Sequence, residues 1–121
     1  MPDTRRRWRD YRTAAGGRPV LAFIDGLSDA EAAAVVAAMK EVSAAGLEGA
    51  RHLRGDIWEV KAEGDRQTLR IVFAPVGRRQ HVLLALAGFS KKTRKTPQQV
   101  IILAERRLPD WRQPGRHQSQ L

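Results

Sequence analysis

The chain has 121 residues, 42% of them hydrophobic, a net charge of +9 and no cysteine. It is long enough for one domain with its own core, and it excludes a disulfide framework and thiolate metal sites. Residues 1–50 hold 7 Lys/Arg and 7 Asp/Glu, so the other 15 and 6, and the whole surplus, fall in 51–121.

The first stretch, "MPDTRRRWRDYR", has no apolar run behind its charges, so it does not read as a signal peptide. Within it, residues 7–12 alternate large and polar side chains and predict a strand. "TAAGGRP" breaks that strand, and residues 19–26 suit a short helix with Pro19 early and Gly26 after its end. Ser28 and Glu31 form a capping-box pattern that opens a second helix. Ala32, Val35, Val36, Met39 and Val42 share one face of it, and Gly46 is its stop.

Residues 57–63 alternate, with Trp58, Val60 and Ala62 on one side and Glu59 and Lys61 on the other. Gly64-Asp65 makes a turn. Residues 67–74 alternate too, setting Leu69, Ile71 and Phe73 against Thr68, Arg70 and Val72. A turn over 75–80 carries Arg78 and Arg79. Residues 81–88 are nearly all apolar, as in a central strand covered on both faces, and Gly88 ends or kinks it. Thr96 to Gln99 is a second capping box with Pro97 in the first helical position, and its helix runs to about Leu108. The order is β-α-α-β-β-β-α. It predicts an α+β fold, a small antiparallel, mostly meander sheet with helices packed on one face. One domain fills residues 1–121, with a core over about 7–108 and a loose tail over 109–121. No run approaches the roughly 20 apolar residues that span a bilayer, so no membrane partner is expected and the cytoplasm is the expected compartment.

From Arg66 through Ala104 there is no acidic residue. Such asymmetry calls for a polyanionic partner: nucleic acid, an anionic membrane surface or an acidic protein. The basic set is Arg54, Lys61, Arg70, Arg78, Arg79, Lys91, Lys92, Arg94 and Lys95. Positive side chains on a sheet and its rim suit phosphate contacts. Glu59 should lie on the Arg70 face, where an exposed ion pair would be worth little. His52, His81 and His117 are scattered without ligand spacing, so no metal and no cofactor is expected. RNA cleavage needs neither. The 2′-hydroxyl can attack the neighbouring phosphate if a site aligns it, a base takes its proton and cations stabilise the phosphorane. A lysine crowded by cations is one candidate base.

"LRGDIWEVK" (Leu53 to Lys61), "LRIVFA" (with Arg70 to Phe73) and "GFSKKTRKTP" (Gly88 to Pro97), followed by a helix with Ala104 and Arg107, together resemble a known pattern. It is that of the phage Gp49-like/HigB branch of the RelE/ParE toxin superfamily. The resemblance spans about residues 7–108, and Phe-x-Lys-Lys-x-x-Lys-Thr-Pro is its most specific part. It implies a RelE/ParE-like fold and the toxin of a type II toxin–antitoxin pair. It further implies a metal-independent endoribonuclease that cuts mRNA in the ribosomal A site, with a helix-turn-helix antitoxin as partner. Carried over by position, Arg70, Lys91, Lys92 and Lys95 would bind and polarise the scissile phosphate, with Glu59 and Lys61 lining the same cleft. Arg54, Arg78, Arg79 and Arg94 would contact RNA, and Phe89 sits where an aromatic could stack on a base. One position departs from the pattern. Ala87 stands where many members read histidine, so His81 or a lysine would have to move the proton. The alternatives are a toxin of the same fold that inhibits DNA gyrase and a nucleic-acid-binding module without chemistry.

Overall fold

The computed structural model describes residues 5–92 and 95–113, which places Arg94, His117 and the tail from 114 onward outside the described residues. Strand β1 (Arg7–Asp10) leads to helices α1 (Pro19–Asp25) and α2 (Asp29–Ala45). Strands β2 (Arg51–Arg54), β3 (Ile57–Glu63), β4 (Thr68–Val76) and β5 (Val82–Lys91) follow, and helix α3 (Gln98–Arg112) comes last. One five-stranded sheet has the order β1-β5-β4-β3-β2. Strands β2 to β5 form an antiparallel meander, and β1 adds in parallel beside β5. The α+β class and the meander are as the sequence predicts.

Helix α2 starts as its capping pattern requires, with Glu31 N–H donating to Ser28 Oγ at 3.1 Å. The Glu31 carboxylate then accepts from the Asp65 N–H at 3.1 Å, tying the helix start to the β3–β4 turn. The apolar stripe of α2 buries Val35 and Val42 with Val20 of α1 against Val60, Leu69, Ile71, Phe73 and Leu83.

The opposite face is where the arrangement differs from the expected single helical layer. Helix α3 packs there, burying Ala104 and Leu108 against Ile57, Val72, Ala74 and Leu86. Every residue from Leu69 to Val76 is therefore buried. A sheet apolar on both faces needs a layer on each, and α3 supplies the second.

Three boundaries also differ. Gly88 does not end β5, which continues to Lys91. That glycine is required because a Cβ there would fall 2.4 Å from Phe23 Cδ2 of α1. Pro97, not Thr96, is the N-cap of α3, and it makes no side-chain cap bond. Helix α3 also runs through Pro109 to Arg112, four residues past Leu108. Pro109 lacks one backbone donor. The turn is held nonetheless, because the Tyr11 hydroxyl donates to Asp110 and Trp111 packs on the core.

Candidate nucleic-acid interface

Alternation puts Glu59 and Lys61 of β3 on the α3 side of the sheet, beyond the N-terminal end of that helix. Arg70 of β4 stands opposite Lys61, and Phe89 of β5 stands opposite Arg70. Lys91 ends the row opposite Thr68.

Arg70 and Glu59 are at 1% and 0% exposure, so the surface ion pair the sequence suggests is instead a buried one. Arg70 Nη1 lies 3.5 Å from Glu59 Oε1 and donates to Thr96 Oγ1 at 3.0 Å. The Thr96 hydroxyl in turn donates to Glu59 Oε2. This corrects the expected role of Thr96: its hydroxyl is drawn inward to bridge the pair, so it cannot cap α3. The Arg70 guanidinium also lies 5.9 Å from the centre of the Phe89 ring, within the range of a cation–π contact. Phe89 itself is half-buried.

The exposed charge surrounds this core. Lys61 Nζ is 3.9 Å from Glu59 Oε1 with its side chain 36% exposed. Lys92 and Lys95 are exposed, and Lys91 is half-buried. Beneath them the Glu59 and Arg70 charges cancel, so the rim keeps a net positive charge. A cleft of about 160 Å³ opens beside Thr96 between β2 and the start of α3, lined by Arg51, His52, Lys95 and Gln98.

Arg54 reaches α3 rather than the cleft. Its guanidinium forks onto Glu105 at 3.0 and 2.6 Å and donates to Gln98 at 2.9 Å. That hydrogen-bonded pairing raises the Arg54 pKa and lowers that of Glu105. Arg78 and Arg79 lie elsewhere, in the exposed turn after β4. Arg70 is six residues from the end of β4 at Val76, about 20 Å at the usual rise, and Arg78 lies in the turn beyond that end. His81 sits at that far end too, just before β5. The structure thus brings Glu59, Lys61, Arg70, Phe89, Lys91 and Thr96 together, flanked by Lys92 and Lys95, and leaves Arg78 and Arg79 apart.

Arg51 and Thr96 are the two side chains the sequence reading missed. Arg51 pairs opposite Glu59 on β2, a strand that was not foreseen. Its signal was Gly55-Asp56 between two strand-like runs, a hairpin mark. Among the described residues no group of His, Asp and Glu is placed to hold a metal ion. None of their helices is long and apolar enough to cross a membrane.

Such a surface can hold a phosphodiester by its lysines and stack a base on an aromatic ring, over a buried, hydrogen-bonded floor. A protein-family model described as "Phage derived protein Gp49-like (DUF891)" matches residues 22–109, from α1 almost to the end of α3. No curated protein matches the chain.

Proposed function

The chain belongs to the Gp49-like family of phage-derived proteins, a family of RelE/HigB-type toxins of toxin–antitoxin systems, and from that premise we propose that it is a metal-independent mRNA endoribonuclease acting at the ribosome. The observation that carries this reading is the ring of Lys61, Lys91, Lys92 and Lys95 around the buried Glu59–Arg70 pair.

In this reading the RNA backbone crosses the end of the sheet. Lys92 and Lys95, being exposed, meet the phosphate first. Together with Lys91 they offset the charge that builds on the phosphorane as the 2′-hydroxyl attacks. One lysine of the rim takes the hydroxyl proton and passes it to the 5′-oxygen as the P–O5′ bond breaks, leaving a 2′,3′-cyclic phosphate and a 5′-hydroxyl. Lys61 approaches from β3, its ammonium oriented by the fixed carboxylate of Glu59. Arg70, sealed from solvent, acts from below: it holds Glu59 in place and neutralises its carboxylate, so that the positive charge of the lysine rim is not offset from beneath. Phe89 offers a base a stacking surface, and the rigid floor keeps the attacking and leaving oxygens in line. The cognate antitoxin is the partner that restrains this activity.

Incubating the purified protein with mRNA, with and without ribosomes, tests the reading. Cleavage within codons on the ribosome, lost in a Lys92→Ala/Lys95→Ala variant that folds normally, is the expected result. Intact mRNA together with undisturbed translation would overturn it.

A further inference from the structure

Strand β5 changes the side it presents partway along. Phe73 pairs with Ala85 and Val72 with Ala87, so Leu86 is an extra residue without a partner opposite. Both Leu86 and Ala87 pack on the α3 side. Because strand side chains alternate with period two, one extra residue reverses every later position. With the bulge, Phe89 and Lys91 face the α3 side, and Gly88 faces Phe23. Without it, Gly88 and Ser90 would stand beside Arg70, and Phe89 and Lys91 would be turned into α1.

A bulge leaves a backbone group outside the ladder, and a buried carbonyl needs a donor. Here Arg107 of α3 supplies it, with Nη1 donating to the Leu86 carbonyl at 2.7 Å. Its guanidinium lies 5.3 Å from the centre of the Tyr11 ring. The Tyr11 hydroxyl in turn donates to Asp110, three residues further along α3. A charged donor stacked on an aromatic ring is a strong and well-aimed partner for one carbonyl.

We propose that Arg107 is a positioning residue for the interface: by holding the Leu86 carbonyl it fixes the register in which Phe89 and Lys91 are presented beside Arg70. It touches no RNA itself, since it lies nine residues along α3 from Gln98, about 14 Å at the helical rise. The inference rests on the proposed reading of that face as the RNA site, but its register claim does not.

The test compares Arg107→Leu, which keeps bulk and removes the donor, with Arg107→Lys, which keeps a donor without the planar fork. Two readouts are taken: the cross-strand Arg70–Phe89 contact by NMR, and affinity for a single-stranded RNA oligonucleotide. Arg107→Leu should lose the contact and bind RNA about tenfold more weakly, within the worth of one base stack. Arg107→Lys should keep most of both, and it carries the test if Arg107→Leu does not fold. An Arg107→Leu protein with the wild-type contact and affinity overturns the proposal. So does weakened RNA binding with the contact intact. Absence of RNA binding by the wild-type chain overturns the reading of the face instead, and the NMR contact then judges the register claim alone.

Discussion

Glu59 Oε1 and Arg70 Nη1 lie 3.5 Å apart with both side chains sealed from solvent. Each charge offsets the other there. Removing one leaves an uncompensated buried charge, which typically costs about 3–5 kcal/mol. Arg70→Ala and Glu59→Ala should each destabilise by about that much in urea titrations, whereas Lys61→Ala should cost about 1 kcal/mol or less. Loss of toxicity in Arg70→Ala would therefore report folding as much as chemistry. A joint Glu59→Leu/Arg70→Met replacement should recover much of the stability and still fail at the interface. Equal, small losses for all the single variants would show that the pair is not buried in solution.

Thr96 should behave as a bridge rather than a cap. Thr96→Val keeps the shape and removes the hydroxyl that joins Arg70 to Glu59, at about 1–3 kcal/mol for stranding a buried partner. Thr96→Ser keeps the hydroxyl and loses only a buried methyl, worth about 0.8 kcal/mol. Similar melting temperatures for the two would contradict the bridge.

The lysine rim and the distant arginines should separate in a salt titration. On a short single-stranded RNA, each of Lys92→Ala and Lys95→Ala should flatten the slope of log K against log salt by about 0.7. Arg78→Ala and Arg79→Ala, in the turn beyond the far end of β4, should leave that slope unchanged. A slope that moves equally for both sets would mean that the RNA lies across the whole sheet.

At Gly88 the prediction concerns space. Gly88→Ala drives a methyl into Phe23 and should cost about 1–3 kcal/mol as overpacking. Shrinking the ring in a Phe23→Leu background should make the same change cheaper. A double-mutant cycle with no coupling would argue against the contact.

Asp10 gives a pH signature. Its hydrogen bond from Arg18 lowers its pKa in the fold. The pair's contribution is present above the ordinary carboxylate value of about 3.9 and is lost as pH falls through the lower folded value. Asp10→Asn should thus reduce the acid sensitivity of folding in that window and nowhere else. The effect will be small, since the Arg18 side chain is 42% exposed.

Much of this was legible in the residues. The alternation of Trp58–Lys61 and Leu69–Phe73 sorted β3 and β4 correctly and put Glu59, Lys61 and Arg70 on one face. What hid was whatever depends on a distant element. β2 is four residues with one apolar side chain, too short to show a period, and only Glu59 across the ladder gives Arg51 its place. Nothing local to Thr96 says that its hydroxyl prefers a carboxylate 37 positions away to its own helix end. The β5 bulge is equally silent in "LLALAGF", because an apolar run has no polar beat in which a slipped residue would show.

Tyr11 and Asp110 join segments 99 positions apart, and β1 lies beside a strand made some 75 residues later. Such long closures come late in folding. On a chain still being synthesised, β1 has no neighbour until β5 emerges, and the face that holds Arg70 stays uncovered until α3 follows. The growing polypeptide is therefore an incomplete tool until α3 has emerged. Stalled nascent chains ending before Gln98 should be degraded by added protease, while those carrying all of α3 beyond the exit tunnel should resist it.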